Sequence, residues 1–344
     1  MKTWRHRCSA VFLLLAVLVA TAQETKPVAG PEHRRGAEQT LLTYPEWFLV
    51  FSPHEYAEFA ASHQPSGFPF YGHIGQFWQS YRAAAEETRQ RDMDLNPGYH
   101  MMIMVICVST TVEYALRSGY ERLIGRLTEV LSAQPTAEDR YAAKVATDYV
   151  AFIRVLPWYE YDFAGKLREL WTETGYWGED PLRKWERKFA LSTEYGFKML
   201  YGKLIKLGTR SVYEEPKRVT AVVTRTVPAP DPKLPELKLL QALPDGRALI
   251  TVPRYEAFMV YAQALAAKGL NFEEIAGNRN IILVSLLAKR DWAAPLDLPV
   301  LFAQPILTRP DQQRVALMVP VNRLAMQLRQ WQTAGIQIEH IFDY

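Results

Sequence analysis

Cysteine is almost absent from this chain. Cys8 and Cys107 are the only two in 344 residues, which leaves no disulfide framework and no cysteine-built iron or zinc site. Familiar catalytic signatures are missing as well. There is no Gly-x-Ser-x-Gly elbow, no phosphate-cradling glycine loop, no GxGxxG fingerprint, no haem CxxCH, and no HExxH or Glu-x-x-His spacing. No motif therefore implies a cofactor. Net charge is also lacking. The formal +3 arises from 40 bases against 37 acids, and Lys2, Arg5 and Arg7 account for the whole excess. A neutral remainder removes the electrostatic case for a nucleic-acid partner. No internal repeat and no low-complexity segment stands out.

Those three N-terminal bases open a leader. Ala10–Ala20 is an apolar run and Ala20-Thr21-Ala22 a small-x-small cleavage signal, the pattern of a secretory signal peptide over residues 1–22. The chain is expected to be exported, and to be either periplasmic or held at the inner membrane by an uncleaved leader. Removing the leader removes Cys8, so no intramolecular disulfide is expected.

The length of the chain predicts two domains. Residues 23–40 are polar and read as a flexible arm. Residues 41–212 carry helix signals: Ser52-Pro-His-Glu55 and Thr43-Tyr-Pro-Glu46 fit capping boxes, Asn96-Pro97 and Asp180-Pro181 fit helix starts, and Pro157 fits a stop. Residues 213–236 combine a β-branched strand with a proline-rich connector. Residues 237–344 alternate strands and helices in the order β-α-β-β-α-β with an additional strand. The expected fold class is therefore α+β, an all-α helical domain followed by a ferredoxin-like domain.

What the chain has in abundance is aromatic side chains near its start. Twelve lie between Tyr44 and Tyr81, about a third of that stretch against 12% overall. His73 and His100 fall in or beside it, and Glu46 and Glu113 supply carboxylates. His73, His100, Glu113 and Glu46 are the candidate catalytic residues, and the first three are candidate metal ligands, because imidazole and carboxylate projecting into a bundle can bind metal or exchange protons. Helical spacing places His100 and Glu113 on different faces of one helix, so each would need partners from elsewhere. Tyr44, Trp47, Tyr71, Trp78, Tyr99 and Trp158 are candidate walls of a ligand pocket.

Two helices invite a membrane reading. Met101–Val108 is uninterruptedly apolar, but the run is short for a span and is expected to be a core helix. The 181–210 segment holds eight bases and two acids. It suits either an anionic membrane surface or docking on an otherwise acidic bundle. The same segment carries a helical stripe of Trp185, Phe189, Ser192, Gly196, Met199 or Leu200, Leu204 and Leu207.

Three functional readings follow. The first is a non-enzymatic envelope protein with an aromatic pocket, its C-terminal domain meeting a protein partner. The second is an enzyme with an intra-bundle His/Glu site. The third is a peripheral membrane protein attached through basic helix 181–210.

Overall fold

The computed structural model describes residues 26–36, 38–93, 96–209 and 219–343. The leader, Cys8 and most of the expected 213–218 strand entry lie outside the described residues. The chain is mixed helix and sheet, with helices in the N-terminal part and two four-stranded antiparallel sheets in the C-terminal part.

The helical part comprises α1 (Gln39–Ala60), α2 (Phe70–Gln90), α3 (Pro97–Tyr120), a π-helical turn (Glu121–Gly125), α4 (Arg126–Leu131), α5 (Ala137–Ile153), α6 (Phe163–Glu173) and α7 (Pro181–Thr209). Local chemistry starts several of them. Asn96 accepts the Tyr99 amide with Pro97 in the first turn, and Thr136 with Asp139 forms a reciprocal capping box on α5. The boxes expected at Thr43 and Ser52 do not form. α1 begins earlier and runs through both Pro45 and Pro53. Tertiary partners take over the residues that would have capped. The Ser52 hydroxyl bonds His73 and Tyr114, and the Glu55 carboxylate pairs with Arg314.

The C-terminal part contains β1 (Val219–Thr224), β2 (Lys238–Ala242), β3 (Ala248–Pro253), α8 (Glu256–Ala267), β4 (Phe272–Ile275), β5 (Ile281–Lys289), β6 (Val300–Ile306), β7 (Arg309–Pro320), α9 (Val321–Thr333) and β8 (Gln337–Phe342). Strands expected to share one sheet are divided between two, ordered β2-β3-β1-β4 and β6-β7-β5-β8. β1, expected as a strand ahead of the proline-rich connector and outside the C-terminal domain, is a central strand of the first sheet.

The two sheets are copies of one plan. In each, a β-α-β crossover flanks an inserted antiparallel strand: β3-α8-β4 around β1, and β7-α9-β8 around β5. The registers agree in detail. Pro253 stands opposite Val219 and Pro320 opposite Ile281. The pairing shifts between Val223 and Thr224 in one copy and between Ser285 and Leu286 in the other. The hairpin strands shift between Leu239 and Gln241, and between Val300 and Phe302. Arg247 pairs with Glu273 in the first copy and Arg314 with Glu339 in the second. The sequence signal is short: RALITVP at 247–253 against RVALMVP at 314–320, and a left-handed glycine, Gly269 or Gly335, closing each helix. α8 and α9 pack on each other and share one apolar core with both sheets.

The outer faces of the sheets are covered differently. The described part of the 23–40 segment docks on the first: Glu274 accepts the Val28 and Ala29 amides, and Ala29 is buried against Ala221, Val223 and Leu249. α1 lies along the second, one residue per turn. The Thr40 hydroxyl donates to the Phe342 carbonyl and accepts the Leu283 amide. Tyr44 meets Phe302 edge-on, Trp47 packs against His340 with the rings tilted by 33°, and Phe51 lies under the Arg314 guanidinium. Glu55 then closes the row on Arg314 at 3.0 Å. Trp47→Ala empties the middle of this seam. It is expected to cost about 3–5 kcal/mol, read as a lowered denaturant midpoint, whereas a cost below about 1 kcal/mol would show that the row does not hold the two parts together.

Candidate functional site

Two polar arrangements stand out inside the helical part. The first centres on His73. Its Nδ1 lies 2.9 Å from the Ser52 hydroxyl, which is itself 2.7 Å from the Tyr114 hydroxyl. Its Nε2 lies 3.6 Å from Glu55, and Glu55 continues to Arg314 and Glu339. The order hydroxyl, imidazole, carboxylate is that of a nucleophilic relay. Here it is sealed. Ser52, His73 and Glu55 are buried, and the imidazole is stacked on Phe68 at 4.6 Å. No surface offers the serine to a substrate, and the relay works as a polar core element joining α1, α2, α3 and β7.

Burial, reinforced by Arg314, pushes the His73 imidazole down to about 3, so it is neutral at ordinary pH. Burial pushes Glu55 up, against the opposing pull of Arg314. An unfolded histidine titrates near 6.5. The stability contributed by neutral His73 is therefore complete above about 6.5 and is lost as pH falls toward 3, because the unfolded chain takes up the proton first. His73→Gln is expected to flatten the fall in unfolding free energy between pH 6.5 and 4 by up to about 1.4 kcal/mol per pH unit. Parallel pH profiles for variant and wild type would count against a neutral buried imidazole.

The second arrangement is the pairing of α3–α4 with α7. These helices run antiparallel and are ladder-linked by charge: Glu113 with Lys198, Arg117 with Glu194, and Glu121 with Arg187. Around α7 the ladder thickens into a buried cluster. Arg183 pairs with Asp139 at 2.7 Å, Lys184 with Glu138 at 2.6 Å, and Lys188 with the same Glu138 at 3.3 Å. All four bases of the Arg183–Lys188 segment are buried. The π turn serves this cluster. It points Glu121 at Arg187, and a Cβ on Gly125 would sit 2.4 Å from a Glu121 carboxylate oxygen.

Arg183, Lys184, Arg187, Lys188 and Lys198 thus face inward, as the docking alternative expected, while Lys203 near the end of α7 is exposed. The apolar stripe does not face inward. Leu182, Trp185, Phe189, Phe197, Leu200 and Leu204 are exposed. From Pro181 to Gly202 every exposed side chain on α7 is uncharged, over roughly 33 Å of helix at 1.5 Å per residue. The 97–131 helix behaves alike. It is long and apolar enough to cross a membrane by length and composition, yet only 22% of its most apolar 18-residue window is buried. The expected core helix is corrected to one with a narrow buried edge (Ile103, Cys107, Thr110, Tyr114, Ser118) and an exposed stripe from Met101 through Val108, Val112 and Leu116 to Val130.

The proposed site residues are not gathered in one place. His73 sits in the sealed relay. His100 meets the Tyr81 hydroxyl at 3.3 Å. Glu113 pairs with Lys198 rather than with Arg117 one turn on. Glu46 lies beside Tyr99, and burial pushes its carboxyl up to about 7. Among the described residues no three His, Cys, Asp or Glu side chains are grouped as metal ligands. Of the aromatic wall, Tyr44, Trp47, Trp78 and Tyr99 belong to one packed cluster at the α1 seam. Tyr71 is exposed beneath Arg122, and Trp158 stacks on Tyr201 in a separate cluster with α6 and α7. His340, the one histidine of the C-terminal half and not among the candidate site residues, is buried against Trp47 with neither ring nitrogen hydrogen-bonded. Its place in an alternating strand was the only signal available.

No family model, no curated protein and no solved structure matches this chain. Its chemistry rests on its own residues. Glu138→Gln would leave Lys184 and Lys188 buried without a carboxylate, and is expected to cost about 3–5 kcal/mol in unfolding experiments. Glu113→Gln, at a half-exposed pair, should cost less than about 1 kcal/mol. Equal costs at the two positions would contradict a charge-filled interior.

Proposed function

We propose that this chain is a non-enzymatic, membrane-seated envelope protein whose helical part rests its α3–α4 and α7 faces against lipid and holds the C-terminal sheets at the membrane. One observation carries this reading: the helix pair is polar inside and, apart from Glu113, Arg122, Arg126 and Lys203, apolar outside. In water an amphipathic helix buries its apolar stripe and exposes its charges. Here ion pairs fill the interface, while Met, Val, Leu, Phe and Trp side chains point away from it. Such an order lowers free energy where the surroundings are apolar, since a lipid-facing side chain has no water to satisfy it and ionisable groups turn inward to partners. The length of α7 over which no exposed side chain is charged, roughly 33 Å, matches a hydrocarbon core of about 30 Å. Exposed Tyr176 and Trp177 at its N-terminal approach are residues favoured at the headgroup level.

Attachment through a basic face is not part of this reading, because the bases of α7 are spent on internal carboxylates. Export through the 1–22 leader agrees with an envelope location. The C-terminal part, read as two ferredoxin-like variants fused around α8 and α9, is left to meet a protein partner. Its split β-α-β crossovers support that reading of its ancestry.

The test uses the full chain in membranes with a lipid-partitioning diazirine, followed by peptide mapping. Carbene labelling is expected along Met101–Val130 and Leu182–Leu204 and absent from β3 and β7. Labelling confined to the leader, or none on the two helices, would overturn the proposal.

A further inference from the structure

The 97–131 helix carries three arginines, and they are used in different ways. Arg117 is spent on Glu194. Arg122 and Arg126 are exposed, lie one turn apart, and have no carboxylate partner among the described residues. The acids near them are turned inward: Glu121 to Arg187, and Glu129 to Ser66 and Arg183. The π turn produces this sorting, since the geometry that buries Glu121 sends its neighbour Arg122 outward. Leu123, Ile124 and Leu127 are exposed beside the two guanidinium groups. Arg122 lies 5.3 Å from the ring centroid of Tyr71, which is itself exposed on α2.

We propose that Arg122 and Arg126, flanked by Tyr71, form a headgroup site that binds the phosphate of anionic phospholipids at the edge of the lipid-facing surface. This rests on the membrane-seated reading above and names the lipid class that the face selects. The physical fit has three parts. Guanidinium groups present paired donors that match phosphate oxygens. Long basic side chains at the margin of an apolar stripe lie with their stems in the apolar layer and their heads at the phosphates. Cations close to an anionic leaflet gain from its surface potential. The cation–π contact with Tyr71 holds one guanidinium at the margin in advance. The charge complement is local. The chain as a whole is neutral beyond its leader, so a general attraction to anionic lipid is not available to substitute for these two residues.

The experiment reconstitutes the full chain in bilayers of equal phosphatidylcholine and phosphatidylglycerol. It is then extracted in mild detergent, and the retained lipid is counted by native mass spectrometry. Retention of phosphatidylglycerol over phosphatidylcholine is expected by about tenfold. The doubly substituted Arg122→Gln, Arg126→Gln protein is expected to reconstitute normally and to lose that preference. Tyr71→Phe, which keeps the ring, is expected to retain it. No preference in the wild type, or an undiminished preference in the double variant, would overturn this site while leaving the membrane-seated reading intact. A chain that stays in the aqueous phase with both lipids would overturn the membrane-seated reading and this site with it.

Discussion

The inward direction of the bases on α7 is the constraint from which the helical part is built. Burying Arg183, Lys184, Arg187 and Lys188 is costly unless each finds a carboxylate in good geometry. The surrounding segments are placed to supply them. α5 enters with Glu138 and Asp139 in its first turn, the π turn delivers Glu121, and α4 contributes Glu129. Asp139 serves twice, capping α5 at Thr136 and pairing with Arg183. Among the described residues Lys184 and Lys188 depend on Glu138 alone for a carboxylate, while Arg183 and Arg187 share Glu186 besides their partners on α4, α5 and the π turn, so the positions of α4, α5 and α7 are mutually determined. What remains for the outer surface is the apolar side of two long helices, the feature on which the proposed seat in lipid rests.

The seam between the helical part and the sheets solves a different problem with similar means. α1 crosses the second sheet through a row that is apolar in its middle and polar at both ends. Thr40 bridges a Leu283–Phe342 strand pair at one end, and Glu55 meets Arg314 at the other. The polar ends fix the register of a helix that apolar packing alone would let slide. The same Glu55 reaches toward His73, so the seam and the sealed relay share a carboxylate. A hydroxyl–imidazole–carboxylate order in this place specifies packing rather than chemistry.

Much of the element order was legible in the sequence, because caps, prolines and periodicity are local. Asn96-Pro97, Asp180-Pro181 and the glycines after α8 and α9 act within a few residues of themselves. The direction in which a face points is not local. The stripe of Trp185, Phe189, Leu200 and Leu204 is equally periodic whether it meets a core or lipid, and only the acids on α5 and the π turn decide between them. The Ser52 capping box failed for a related reason. Its hydroxyl had a better partner in His73, more than twenty positions away. The candidate site suffered most. His73, His100, Glu46 and Glu113 are close in sequence, and each is claimed by a different neighbour in space. The likeness of the two sheets is scarcely legible in the sequence because it lies in register, bulge position and one Arg–Glu pair, while the side chains between differ.

That divergence shows how one plan came to bear two roles. Arg247 and Arg314 hold equivalent places and both pair with the following strand's glutamate. In the first copy the pair stays half-exposed, joined by Asp245 from the neighbouring turn. In the second it is buried beneath α1, joined by Glu55 and covered by Phe51. Glu274 and His340 are likewise equivalent. One accepts the backbone amides of the N-terminal segment, and the other packs tilted against Trp47. A carboxylate suits an edge where main chain docks, and a neutral ring suits an aromatic helix face. The second copy is thus committed to the helical part and the first to the segment that follows the leader. The C-terminal part is therefore anchored through α1 and the N-terminal segment, neither of which belongs to the α3–α4 and α7 faces proposed to meet lipid.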